Sequence, residues 1–163
     1  DNAFCGFGYR ESTFKHNPKF IILDVTLELR EGNPEVSQRL VRFYTSSRSD
    51  AQDIGSSSAG CVFKNVAWPE NEDSRKRLIR MTPHLADFAA RPTIPVGWLI
   101  DQLGLKGRTI GKASISKKHG NYMINNGGAT AEEVIMLIGL VKEHIHRKYS
   151  LQLEEEIQYV GFH

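Results

Sequence analysis

Cys61 stands in the stretch SSSAGCVFKN, residues 56–65, where serines and small residues precede a thiol, two apolar residues, a lysine and an asparagine. A thiol has an ordinary pKa of about 8.5 and gives up its proton far more readily than a hydroxyl. Cys61 can therefore serve as a nucleophile or a proton donor, or pack as a small apolar group. Arg10, in GYRES, carries a planar guanidinium that grips a carboxylate through two hydrogen bonds, or is a surface cation. Lys64 and Asn65 either line a pocket with Cys61 or are exposed polar residues after a strand. Glu154, Glu155 and Glu156 form a carboxylate run; on a strand Glu154 and Glu156 point one way and Glu155 the other. His119, in KKHGN, binds an anion or occupies a turn, and Asn121 donates to a ligand or opens a strand. The six histidines show no metal spacing, and two cysteines make neither a disulfide framework nor a zinc site.

These residues must be positioned by the elements around them. FIILDVTLELR, residues 20–30, alternates from Leu23 onward and predicts a strand with one wet face. Gly32-Asn33-Pro34 ends it, and Pro34 suits the first turn of a helix running from Glu35 to about Ser49, with Val36, Leu40, Phe43 and Tyr44 on one side. Residues 46–60 read as loop, with a short buried strand at Cys61-Val62-Phe63. Residues 66–95 hold four of the six prolines and the basic cluster Arg75, Lys76, Arg77 and Arg80, and read as a partly helical insertion. The cluster is a solvated face or meets an anionic ligand.

Val96, Leu99, Ile100 and Leu103 have helical spacing, and Gly104 fits the position that ends a helix. Residues 108–116 and 121–125 read as strands, and Asn126-Gly127-Gly128 as a turn. Thr130 and Glu133 form a capping box, followed by Val134, Leu137, Ile138, Val141 and Ile145 on the buried face of a helix ending near Lys148. Residues 151–161 close the chain as a strand. The mixture predicts an α+β fold, a mixed or antiparallel sheet packed against helices.

Composition narrows the class. Apolar content of 40% and charged content of 25% describe an ordinary soluble globular chain, and 163 residues suffice for one domain or one domain plus a fragment. No apolar run reaches the roughly 20 residues of a membrane span. A net charge of +2 with interspersed signs lacks the clustered basic face of a nucleic-acid binder. Two unpatterned cysteines suit a reducing, cytoplasmic setting. The chain starts at Asp1 without an initiator methionine or signal peptide, which points to a piece of something longer.

The motifs occur in a telling order: Tyr-Arg-x-Ser; Ala-Gly-Cys-Val-Phe-Lys-Asn; Gly-Trp-Leu-Ile-Asp-Gln-x-Gly-Leu-Lys-Gly; Ser-x-Lys-His-x-Asn-(aromatic)-x-x-Asn; Ala-Thr-Ala; and Leu-Glu-x-Glu-Ile. Together they resemble the UDP-N-acetylenolpyruvoylglucosamine reductases of peptidoglycan precursor synthesis. The resemblance spans most of the chain outside residues 66–95.

That resemblance implies a flavoenzyme in which NADPH reduces FAD and the enolpyruvyl group of UDP-N-acetylglucosamine enolpyruvate is then reduced, giving UDP-N-acetylmuramate. It implies that Cys61, at the family's Ser-or-Cys position, is the acid that protonates the substrate. Arg10 and Glu156 would hold and polarise the enolpyruvyl carboxylate, which asks that Glu156 be protonated or offset by Arg10. Tyr9, Lys64, Asn65, His119 and Asn121 fall at substrate-contacting positions, with Lys64 and His119 suited to the diphosphate.

The family's glycine-rich flavin loops have no counterpart here. The resemblance therefore implies a C-terminal half: residues 1–34 as the tail of an FAD-binding domain and 35–163 as a substrate-binding domain, inactive alone. Val66 stands where the family usually has proline, which leaves the shape of the following loop open. The competing reading is a non-catalytic module that binds a UDP-sugar or a protein.

Overall fold

The alternating segment at residues 20–30 is not a strand. The computed structural model describes residues 2–17, 19–53 and 55–161, and there residues 20–30 have no regular structure. A strand's amides and carbonyls need a neighbouring edge, and no described segment pairs with this one. Leu23 and Leu29 are 89% and 83% exposed. Alternation records a capacity to pair, and the partner is missing from the described residues.

The chain divides into two units, Asp1–Arg39 and Leu40–His163. In the first, two single-turn helices, α1 (Asn2–Cys5) and α2 (Thr13–His16), bring Phe4, Phe14 and Phe20 into an edge-to-face cluster with centroids 5.8–6.2 Å apart. Helix α3 (Pro34–Ala51) starts where Pro34 predicts. The Asn33 side chain accepts from the amides of Glu35 and Val36 at 2.9 and 3.2 Å. It runs past Ser49, so the expected loop starts only after Ala51.

The second unit is built on a four-stranded antiparallel sheet in the order β1-β6-β5-β4. These are β1 (Ser58–Cys61), β4 (Thr109–Ile110), β5 (Ala113–Ile115) and β6 (Tyr122–Asn125). The single strand expected over 108–116 is thus a hairpin. Gly111 turns it with φ +54°, and a Cβ there would lie 1.9 Å from Glu133 Oε1. Helix α6 (Ala131–Tyr149) covers β4 and β5, with its Thr130–Glu133 capping box in place. Leu137, Ile138, Val141 and Ile145 are at most 2% exposed, each such burial contributing roughly 1.5–3 kcal/mol. Helix α5 (Val96–Gln102) adds Val96, Leu99 and Ile100 to the same core.

Residues 66–95 are integral to this core. A two-stranded pair, β2 (Val66–Ala67) with β3 (Thr93–Ile94), brackets α4 (Glu72–Met81) and a 3₁₀ helix, Pro83–Phe88. Leu78, Leu85 and Ile94 are buried. Of the basic cluster, Arg75 stacks on Trp68, 4.7 Å from the ring centroid, and donates to the Ala89 carbonyl; Lys76 pairs with Glu72 at 2.8 Å. The strand expected over 151–161 reduces to one antiparallel bridge, Phe63 with Glu155. The unit is α+β, an antiparallel sheet against helices, and no helix of the described residues is long and apolar enough to cross a membrane.

Candidate functional site

Cys61 is the last residue of β1, preceded by Gly60 at φ +81° and paired across the sheet with Tyr122. It is half-buried, and Val62 and Phe63 behind it are core residues. Two segments hold this turn. From the turn just before β6, Asn121 accepts the Val62 amide on its carbonyl at 2.9 Å. Its side chain then brackets Phe63: Oδ1 accepts the Phe63 amide at 3.0 Å and Nδ2 donates to the Phe63 carbonyl at 2.8 Å. From the C-terminal segment, the Lys64 amide donates to the Glu154 carbonyl at 2.9 Å and the Glu156 amide to the Val62 carbonyl at 2.8 Å. Glu156 thus lies alongside the residue that follows Cys61.

The other candidates of this unit gather around the same turn. Lys64 Nζ pairs with the Glu154 carboxylate. Asn65 Oδ1 accepts the amide of Val96, the first residue of α5, at 3.3 Å. His119 sits in a turn organised by Ser116, a residue the sequence reading passed over although it opens the Ser-x-Lys-His motif. The buried Ser116 hydroxyl accepts the amides of Lys118 and His119 at 3.0 and 2.9 Å and donates to Asp53. His119 Nδ1 accepts the Asn121 amide at 3.3 Å, which places the imidazole proton on Nε2. Burial, then the Lys106 cation, push the His119 pKa below its ordinary 6.5. The ring is therefore a neutral donor at neutral pH, able to offer a hydrogen bond to an anion but not a charge.

Tyr122 is a second residue missed at the sequence level. Its ring lies 4.8 Å from that of His119 and opposite Cys61. Burial, then the proximity of Cys61, push its pKa up, so the phenol stays protonated.

Tyr9 and Arg10 belong to the first unit. They form the tip of a tight turn closed by reciprocal Gly8–Glu11 backbone bonds of 3.0 and 3.2 Å. Arg10 has φ +59°, and its guanidinium lies 5.9 Å from the Tyr9 ring centroid. A non-glycine residue held in the left-handed region stores about 1–3 kcal/mol of strain, a feature concentrated at functional sites.

Among the described residues no group of three His, Cys, Asp or Glu is placed to hold a metal. The side chains of Asn33, Asn71 and Thr130 cap α3, α4 and α6 by accepting the amides of Glu35, Ser74 and Glu133, and Asn65 accepts the Val96 amide at the start of α5.

Residues 52–160 match the family described as UDP-N-acetylenolpyruvoylglucosamine reductase, C-terminal domain. The chain belongs to this family. The UDP-N-acetylenolpyruvoylglucosamine reductase of Fervidobacterium nodosum is 39% identical over 153 residues, covering 94% of this chain and 42% of that protein. The one from a Synechococcus species is 34% identical over 156 residues, covering 95% and 42%. The crystal structure of UDP-N-acetylenolpyruvylglucosamine reductase from Thermus caldophilus superposes with a TM-score of 0.65 at 32% identity, over 95% of this chain and 46% of that one. This reductase C-terminal domain thus spans about half the length of the curated relatives it matches.

Proposed function

We propose that this chain is the substrate-binding part of a cytoplasmic reductase that converts UDP-N-acetylglucosamine enolpyruvate to UDP-N-acetylmuramate for peptidoglycan synthesis. Residues 35–163 form the substrate domain, and residues 1–34 belong to a flavin-binding portion. The FAD that supplies the hydride, recharged by NADPH, is held mainly by an N-terminal part outside these residues, so the chain alone is inactive. Its own side chains do the rest. Cys61 delivers the proton to the carbon beside the reduced methylene. Arg10 and Glu156 hold the enolpyruvyl carboxylate and stabilise the charge that develops there. Tyr9, Lys64, Asn65 and His119 contact the substrate, with Lys64 and His119 at its diphosphate. Asn121, placed by the motif among the substrate contacts, serves them by holding the Cys61 turn.

The observation that supports this reading most is the 2.8 Å bond from the Glu156 amide to the Val62 carbonyl. It sets a carboxylate-bearing segment beside the thiol-bearing turn although the two are far apart in sequence. The test is C61A in the complete polypeptide. NADPH should still reduce the flavin, while reoxidation by UDP-N-acetylglucosamine enolpyruvate is lost. Wild-type reoxidation in C61A would remove Cys61 from the chemistry. A parent protein with no substrate-dependent reoxidation at all would make this a non-catalytic UDP-sugar-binding or protein-binding module.

A further inference from the structure

Glu155 stands between Glu154, whose carboxylate pairs with Lys64, and Glu156, whose amide donates to the Val62 carbonyl, yet it is bound elsewhere. Its carboxylate is 17% exposed, pairs with Lys142 Nζ of α6, and accepts a hydrogen bond from Tyr159. Burial alone would raise its pKa. The hydrogen bonds from Lys142 and Tyr159 outweigh it and hold the carboxyl below its ordinary range. On an extended segment adjacent side chains leave on opposite faces. Glu155 therefore turns to α6, while Glu154 and Glu156 share the face where Lys64 pairs with Glu154.

The segment needs such a fastening. Leu151 and Leu153 anchor its start at 7% and 8% exposure. Beyond them no regular ladder forms: the Phe63–Glu155 bridge carries the pairing. Past Ile157 the chain emerges, with Tyr159 at 45% and Val160 at 85% exposed. The ties of Glu155 fall on the residue immediately before Glu156.

We propose that Glu155 is a positioning residue: through Lys142 and Tyr159 it fastens the C-terminal segment to α6 and so fixes the Glu156 side chain relative to the Cys61 turn. This rests on the reading of Cys61 and Glu156 given above. A displacement of about 1 Å at a reacting group is enough to cost on the order of 100-fold in rate.

The experiment is a set of steady-state and reoxidation measurements on the complete polypeptide with flavin, NADPH and UDP-N-acetylglucosamine enolpyruvate, each variant checked for its melting temperature. E155Q and K142M should each lower the rate of substrate-dependent reoxidation about tenfold, with K142R recovering most of the loss. The deciding variant is E155Q/E156Q. If Glu155 acts only through Glu156, the double variant matches E156Q alone, because residues acting as one unit are non-additive. A purely structural defect instead adds to the loss of E156Q, and that result overturns the proposal. So does an E155Q rate within about twofold of wild type while E156Q is impaired. A wild-type rate in E156Q overturns the reading of Glu156 itself, a pattern distinct from both.

Discussion

Asn121 grips the peptide unit of Phe63 from both sides, its Oδ1 accepting the amide and its Nδ2 donating to the carbonyl. Both residues are nearly inaccessible, at 4% and 1% exposure. N121A removes both partners and leaves a buried N–H and C=O unpaired, at about 1–3 kcal/mol per group. The expected loss is about 2–4 kcal/mol, read from denaturant unfolding. N121D keeps the acceptor and should fall between the two. An N121A stability equal to wild type would show that water replaces the side chain.

Gly111 and Gly139 should respond to alanine with opposite signs. At Gly111 a Cβ would meet Glu133, whose Oε2 accepts the Lys112 and Thr130 amides at 3.1 Å each. G111A adds a left-handed backbone penalty to the loss of that cap, so about 2 kcal/mol or more of stability should go. Gly139 lies within α6 with open space around its Cα. G139A should gain up to about 1 kcal/mol from helix propensity. Thermal melts of the two variants side by side give the comparison, and a shared sign would refute the local geometry.

The pH dependence of stability should carry a His119 signature. Its folded-state pKa lies below 6.5 because burial, then Lys106, disfavours the cation. The unfolded chain then binds the extra proton first, so stability is full above 6.5 and declines as pH falls through that value. H119Q should lose less stability than wild type between neutral and mildly acidic pH. Parallel profiles for the two proteins would contradict the depressed pKa.

Tyr159 provides a marker at the alkaline end. Burial, then its hydrogen bond to Glu155 and that carboxylate's charge, push its pKa up to about 12. Its contribution to stability is present below the ordinary value of 10.0 and is lost as pH rises toward 12. An ultraviolet tyrosinate titration should show a late-ionising phenol that disappears in Y159F and moves down in E155Q. If the late phase survives Y159F, another tyrosine carries it.

What was legible in the sequence was what neighbours in sequence decide. Thr130 and Glu133 are three residues apart, so their reciprocal cap is written locally, and the stripe from Val134 to Ile145 needs only helical geometry to be read. Likewise the start of α3 follows from Pro34. The failures depended on distant partners. Residues 20–30 alternate but pair with no described strand. The strand expected over 108–116 hides a turn, and only the Glu133 carboxylate over Gly111 makes that evident. The bonds of Asn121 to Phe63 join residues 58 apart, so no local pattern reveals whether the amide meets a ligand or a peptide. Tyr122 was passed over because its relevance comes from facing Cys61 across the sheet.

The unpaired segment at residues 20–30 has a practical consequence at the bench. It offers alternate leucines and valines together with backbone groups that no described neighbour satisfies. Such an edge is a template for another copy of itself. Concentrated preparations of these 163 residues should therefore cling to one another through cross-strand addition. Lysine or proline placed at Val25 or Leu27 should keep them dispersed.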